Sequence, residues 1–208
     1  ADGIECNIAV SIPSADVALA VGEWVDEVLG GYYDGDATDI RAIVDFYGKA
    51  ISDTLRKERE EQGNDFVMEF EAEMSKAYET DKLVTYTMST YLGLGGAHPS
   101  SSCLGITFRK SDGRRLLWDI VRLGEQYRMK ALLAQGVMDY LGVKDEDELA
   151  QMIGDEKGYD IPLPQTPPFV LDNRLVFVYQ QYELGSYALG MPTDTIALSR
   201  VAPLLTGW

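Results

Sequence analysis

Few side chains in this 208-residue sequence are of the types that catalyse near neutral pH, and their spacing restricts them further. His98 is the only histidine, which excludes HExxH and paired-imidazole zinc sites. A Ser-His-Asp triad would have to use His98, and Gly185-Ser186 lacks a second glycine at the spacing of a nucleophile turn. Cys103 falls inside a strand pattern, which leaves a Cys103–His98 nucleophile pair unsupported. Gly93-Leu94-Gly95-Gly96 follows a strand, but no helix pattern follows it. It therefore lacks the strand–turn–helix context of a phosphate loop.

Two acidic clusters remain. Asp34-Gly35-Asp36-Ala37-Thr38-Asp39 has the flavour of a calcium loop. An EF-hand needs glycine at its sixth position and a bidentate glutamate at its twelfth, and here those positions hold Asp39 and Asp45. The stretch reads better as a capping loop, because carboxylates are favoured at the positive end of the helix that follows. Glu69, Glu71 and Glu73 form a row on one strand face. Glycosidases use two carboxyl groups in different environments. Side chains at i and i+2 on a strand sit roughly 7 Å apart in the same solvent, so a charged outer face that discourages edge pairing is the simpler role. No metal or cofactor is expected.

The elements that position these residues follow from periodicity. Residues 4–12 alternate, with Ile4, Cys6, Ile8, Val10 and Ile12 on one face, and predict a half-buried strand ended by Pro13. Ser14 is the expected N-cap of a helix whose stripe is Val17, Val21, Trp24, Val25 and Val28, stopped by Gly30-Gly31. A second helix opens near Thr38, with Ile40, Ile43, Val44, Tyr47, Ile51 and Leu55 inward and a solvated tail at 57–61. Strands at 65–76 and 82–92 form a hairpin through Glu79-Thr80-Asp81, with Phe66, Met68, Phe70, Ala72 and Met74 on one face of the first. A strand at 101–109 and a turn at Asp112-Gly113 follow, then a helical turn at 116–121. A helix at 124–141 is expected to bury Tyr127, Met129, Leu132, Leu133, Val137 and Tyr140. A short acidic helix spans 145–153, a proline-rich loop 158–168, and two last strands 169–180 and 193–199. Strands and helices are segregated. That predicts an α+β fold, with an antiparallel sheet or sheets and helices packed on one face, in one compact unit or two subdomains. Cys6 and Cys103 could form one bridge or remain two thiols, and their opposite strand phases favour two thiols.

With 18 Lys and Arg against 34 Asp and Glu, the formal charge is −16. Such a surface repels phosphate backbones and anionic lipid, so no nucleic acid is expected as a partner. It serves solubility, and it also speeds encounter with a basic partner. No apolar run approaches the roughly 18 residues of a spanning helix, so no membrane insertion of this segment is expected. The chain starts at Ala1-Asp2-Gly3 without a signal peptide, and an export signal is expected to lie before this numbering.

Two segments go beyond generic architecture. The first is Tyr91-Leu92-Gly93-Leu94-Gly95-Gly96-Ala97-His98-Pro99, with the following strand, Asp112-Gly113 and residues 116–121. The second runs through Phe169-Val170-Leu171, Leu175-Val176-Phe177, Gln181-Tyr182-Glu183-Leu184, Tyr187-Ala188, Gly190 and on to Leu205. Together they resemble the bacterial family DUF3298, whose pattern pairs a Gly-Gly-Ala-His sequence with a late aromatic strand. Residues 1–80 resemble the DUF4163-type segment that often precedes it, leaving 81–208 as the DUF3298-like part. The resemblance implies an extracytoplasmic domain at the cell envelope, lipid-anchored or tethered through a preceding segment. One relative is the lysozyme-binding outer domain of an anti-sigma factor. Another is attached to a peptidoglycan deacetylase whose metal chemistry belongs to a separate domain.

The expected function is accordingly a non-catalytic binding or sensing domain, with a basic protein such as lysozyme as the implied partner. A carbohydrate or peptidoglycan module using Trp24, Trp118 and Trp208, an unrecognised hydrolase using the glutamate row or His98, and a purely structural lipoprotein domain are the alternatives. The candidate binding residues are Tyr91, Gly95, Gly96, His98, Tyr182 and Tyr187. Each has a plain structural reading beside the functional one. The glycines permit a tight turn, His98 is held extended by Pro99, and the tyrosines, with Tyr179, can serve as core aromatics.

Overall fold

The structure is a computed structural model that describes residues 3–63, 65–154 and 161–206. It is α+β, with a four-stranded and a three-stranded sheet and five α-helices among the described residues. The chain divides into two compact units. Unit 1 comprises residues 1–102 and 108–115, and unit 2 residues 103–107 and 116–208. The chain on either side of residue 80 pairs as one hairpin.

Unit 1 begins with β1 (Ile4–Val10), α1 (Ala18–Leu29) and α2 (Ile40–Gln62). It continues with β2 (Met68–Glu79), β3 (Leu83–Gly93) and β4 (Ser100–Arg109, of which residues 103–107 count with unit 2), in the sheet order β1-β2-β3-β4. β2 and β3 form the expected antiparallel hairpin, whereas β1 pairs with β2 in parallel. The exception to antiparallel pairing has a topological cause. The chain between β1 and β2 is two helices long, and such a crossover returns a strand in the same direction. The inward face carries Met68, Ala72, Met74, Val84, Tyr86 and Met88, all buried. Trp24 and Tyr86 meet Phe108 edge to face, with ring centroids 6.5 and 6.2 Å away. In α2, Ile40, Ile43, Tyr47 and Leu55 are buried, as its periodicity demands. Tyr47 donates its hydroxyl to Asp26 Oδ1 (2.5 Å) and accepts the Tyr32 N–H (2.9 Å), which ties α2 to the end of α1.

Local chemistry displaces several expected boundaries. α1 starts at Ala18, since Ser14 is spent in a preceding turn in which its carbonyl accepts the Val17 N–H; Ser14 is not its N-cap. Both Gly30 and Gly31 donate to the Asp26 carbonyl at the helix end. Phe66 lies two residues before β2 begins and is 61% exposed, so the alternation of the strand does not reach it.

Unit 2 holds a 3-10 turn at Trp118–Ile120, α3 (Gln126–Leu141) and α4 (Glu146–Ile153). β5 (Phe169–Leu171), β6 (Arg174–Val178) and β7 (Thr193–Ala197) then form an antiparallel sheet in that order. Asp172 and Asn173, both at positive φ, make the two-residue β5–β6 turn that a hairpin of this hand requires. The final strand stops at Ala197, and residues 198–199, expected to be extended, open the helix Leu198–Val201 (α5). α3 buries Met129, Leu133, Ala134, Val137 and Met138. Tyr127 and Tyr140, expected inside, are 80% and 48% exposed, because the buried stripe is centred on Leu133 and Val137 and these two fall at its margins. The β6 strand ends at Val178, so Tyr182 and Tyr187 lie in turns and not on a late strand. Of the proline-rich loop, residues 158–160 lie outside the described residues, as does Trp208.

At the tip of the β2–β3 hairpin, Glu79 accepts from Lys76 Nζ (2.5 Å) and Lys110 Nζ (2.8 Å). The hydrogen bond from Lys110, then that from Lys76, holds its carboxyl down to about 2. An unfolded glutamate titrates at about 4.3. Because the folded value is depressed, this stabilisation is present above the unfolded value and disappears as pH falls from about 5 to about 2. Glu79→Gln should therefore flatten the acid limb of stability measured by urea unfolding across that window. An unchanged acid limb would show that the pair contributes nothing in solution.

Candidate functional site

The candidate residues fall into two groups, each with its own scaffold. Tyr91, Gly95, Gly96 and His98 belong to unit 1, and Tyr182 and Tyr187 to unit 2.

In unit 1 the strand register builds the site. Keeping Ile4, Cys6, Ile8 and Val10 over Met68, Phe70, Ala72 and Met74 forces the intervening residues onto the opposite face. Glu5 then lies opposite Glu69, Asn7 opposite Glu71 and Ala9 opposite Glu73. On the other side of β2, Gly93 faces Glu69, Tyr91 faces Glu71 and Ser89 faces Glu73. Glu5, Glu71 and Glu73 are exposed and Glu69 half-buried. Among the described residues no ion pair reaches any of the four carboxylates. Tyr91, Glu71, Glu73, Asn7 and Ser89 line a shallow cleft of about 150 Å³, well below the roughly 300–1,000 Å³ of ligand pockets. Glu69 and His98 are not among its lining residues. The hydrolase reading therefore keeps only Glu71 and Glu73, which share one solvated face.

β3 runs out at Gly93, where a Cβ would press to 3.1 Å on the Glu69 side chain. Gly95 has φ +78°, and a Cβ there would lie 3.0 Å from that of Phe66, so both backbone and packing exclude a side chain. Gly96 meets nothing within 4 Å. His98 is exposed. The loop carries the exposed His98 and, at Gly95, lies against the exposed Phe66. Alternation puts Phe66 on one face of a strand at 65–76, whereas the strand begins only at Met68.

In unit 2 the tyrosine segment is braced at several points. Tyr179 is buried and donates its hydroxyl to the Pro162 carbonyl (2.8 Å). The Gln180 side-chain amide behaves like a neighbouring strand: its Nε2 donates to the Cys103 carbonyl (2.9 Å) and its Oε1 accepts the Cys103 N–H (3.0 Å). Glu183 accepts the Gln180 N–H on one oxygen (2.8 Å) and the Gln165 N–H on the other (2.6 Å). Leu184 is buried. Between these anchors Tyr182 is 57% exposed at φ +64°. Its ring centroid is 5.8 Å from that of half-buried Tyr187, with the planes tilted by 49°.

The remaining candidates resolve as structure. Asp39 caps α2 through the Ala42 N–H (3.1 Å), and Asp36 holds the preceding turn through the Thr38 N–H and hydroxyl. Among the described residues no group of three metal-binding side chains converges. Cys6 and Cys103 are free, half-buried thiols, and burial pushes both up, most of all against thiolate formation. Trp24 is buried, and half-buried Trp118 donates its indole N–H to the Pro164 carbonyl (3.0 Å), with the Phe177 ring centroid 6.1 Å from its own.

This architecture is that of an α+β DUF3298 fold. Its solved counterparts include a DUF3298 member from Bacteroides fragilis NCTC 9343, 18% identical, with a TM-score of 0.70 over 89% of this chain and 76% of that one. A DUF3298 family protein from Pseudomonas aeruginosa PAO1 is also 18% identical, with a TM-score of 0.54 over 73% and 68%. At that identity the likeness is one of fold, and it agrees with the resemblance read from the two sequence segments. Neither a family model nor a curated protein sequence matches the chain.

Gln180→Ala would leave the Cys103 N–H and carbonyl without their partner. It should destabilise unit 2 by about 1–3 kcal/mol in chemical denaturation. A loss below about 0.5 kcal/mol would mean that water replaces the amide readily and the clamp is incidental.

Proposed function

We propose that this chain is a non-catalytic binding or sensing domain displayed outside the cytoplasm at a bacterial cell envelope, and that it recognises a basic protein of the lysozyme type. The observation that carries the reading is the uncompensated carboxylate face of β1 and β2. Glu5 and Glu69 are paired directly across strands, where like charges repel and destabilise. Glu71 and Glu73 continue the row beside Tyr91. A basic surface would relieve that repulsion on docking, and the aromatic ring supplies an anchor of the kind that concentrates binding energy. The formal charge of −16 speeds encounter with such a partner. The location rests on the family resemblance. No helix among the described residues is long and apolar enough to cross a membrane.

Calorimetric titration with lysozyme at low and physiological salt tests the reading. The expected result is saturable binding at both, weaker at the higher salt. In Glu71→Gln/Glu73→Gln, affinity should fall about tenfold, or ~1.4 kcal/mol, while thermal stability holds or rises as repulsion is removed. Absence of binding at either salt rejects this partner. Binding indifferent to the double substitution rejects this face.

A further inference from the structure

We propose that the open edge of β1 is a strand-addition site for an extended segment of a partner in which basic residues alternate with apolar ones. The hydrogen bonds define the edge. β1 lies at one end of its sheet and, among the described residues, pairs there with β2 alone. The Met68 N–H donates to the Gly3 carbonyl and the Ser11 N–H to the Met74 carbonyl, both at 3.0 Å. In a parallel ladder every second residue bonds to a given neighbour, so Glu5, Asn7 and Ala9 also turn their backbone groups toward β2. Ile4, Cys6, Ile8 and Val10 turn theirs the other way, and among the described residues no backbone hydrogen bond meets them on that side. The opposite end of the sheet is closed. There the Gln180 amide takes both backbone groups of Cys103, the Leu116 N–H donates to the Thr107 carbonyl (2.8 Å) and the Arg109 N–H to the Arg114 carbonyl (2.8 Å). Proteins blunt open edges with proline, charge, bulges or very short strands. β1 has seven residues in unbroken register without proline, and its one charged residue, Glu5, guards against an acidic strand and not against a basic one.

The two faces beside this edge choose the occupant. On the inward face Met68, Ala72 and Met74 of β2 are buried, while Ile4, Cys6, Ile8 and Val10 of β1 are only half-buried. The apolar layer thins at β1, and the apolar residues of one more strand would complete it. Ile12, which continues the same alternation, is 69% exposed. On the outward face Glu5 is exposed, and Asn7 and Ala9 line the shallow cleft with Glu71 and Glu73. Asn7 and Ala9 are short and uncharged. A long basic side chain on an added strand can therefore pass over them toward the β2 carboxylates, two strand spacings or roughly 10 Å away. The choice of basic residues rests on the carboxylate-face reading, whereas the open backbone edge stands without it. A second copy of the chain fits poorly, since it would bring another Glu5 to the edge and another formal charge of −16. An extended segment with lysine or arginine at alternate positions and valine or isoleucine between them meets the backbone groups, the apolar face and the acidic face at once.

The test uses the peptide acetyl-Lys-Val-Lys-Val-Lys-Val-Lys-amide and a block peptide of the same composition with all its lysines first. Each is titrated calorimetrically into the unaltered chain at low salt, and amide hydrogen exchange is followed residue by residue by NMR with and without it. The alternating peptide is expected to bind with Kd on the order of 0.1 mM, about fivefold or more tighter than the block peptide. In the free chain the Cys6, Ile8 and Val10 amides should exchange about tenfold or more faster than those of Asn7 and Ala9, and saturation with the alternating peptide should slow them by about the same factor. The proposal is overturned if the alternating peptide does not bind, if the block peptide binds as well, or if binding leaves the Cys6, Ile8 and Val10 amides unchanged. It is overturned too if those amides are already protected in the free chain, whether by a second copy, which sedimentation would show, or by the chain itself. Lysozyme binding without peptide binding removes this proposal and leaves the carboxylate-face reading. Peptide binding with newly protected edge amides but no lysozyme binding removes only that partner.

Discussion

Parallel pairing of β1 with β2, in the register that stacks Ile4, Cys6, Ile8 and Val10 over Met68, Phe70, Ala72 and Met74, is the constraint on which most of unit 1 depends. Side chains alternate with period two, so a slip of one residue would turn every one of these apolar groups outward and every glutamate inward. Burying even one unpaired carboxylate costs several kcal/mol, which makes the register close to compulsory. Once it holds, the two helices between the strands must carry the chain back to the same end of the sheet. α2 buries Ile40, Ile43, Tyr47 and Leu55 in doing so. The outer face then has no freedom left: Glu5 meets Glu69, and Tyr91 meets Glu71.

Electrostatics sharpen the consequence. With 18 cations for 34 acids, some carboxylates must go unpaired. Elsewhere in unit 1 the available cations are placed closely. Lys110 serves Glu79 and Asp16, Arg109 grips Asp112, and Arg115 reaches Glu27. These contacts join loops and strand ends, where a pair can fix the path of the chain. On the flat face of the sheet Glu5, Glu69, Glu71 and Glu73 lie side by side, where like charges oppose folding directly.

Sequence periodicity carried much of this. The strands at 4–12, 65–76, 82–92 and 101–109, both long helices of unit 1, the acidic α4 and the β5–β6 turn all lie within a few residues of where alternation and turn chemistry place them. Their burial is local and regular, which is what a pattern can encode. The misreadings have non-local causes. Parallel pairing of β1 is decided by the crossover and not by either strand. Tyr127 and Tyr140 look inward on a helical wheel until the stripe is centred on Leu133 and Val137. The α5 turn at 198 interrupts what reads as a continuous strand. Of the candidate site, the Gly95 turn and the glutamate row were legible, because a positive φ and a two-residue repeat leave marks in the sequence. The bracing of Tyr182 was not, since Gln180 reaches Cys103 across 77 positions of chain.

That bracing bears on the choice between recognition and reaction. Reaction centres gather groups of shifted protonation inside a recess. In this chain the shifted groups are dispersed, and each has a structural cause. Cys6 and Cys103 are raised by burial, Asp112 is held to about 2 by the Arg109 guanidinium, and Asp194 is raised chiefly by burial, its carboxyl lying so close to Gly136 that a Cβ there would be 2.1 Å from Cγ. None of them lines the cleft beside Tyr91 or the clefts along α3 and α4. Exposed carboxylates on a flat sheet, and an exposed ring at positive φ, are of another kind. Like charges exposed side by side on one face are relieved when a surface of opposite sign covers them.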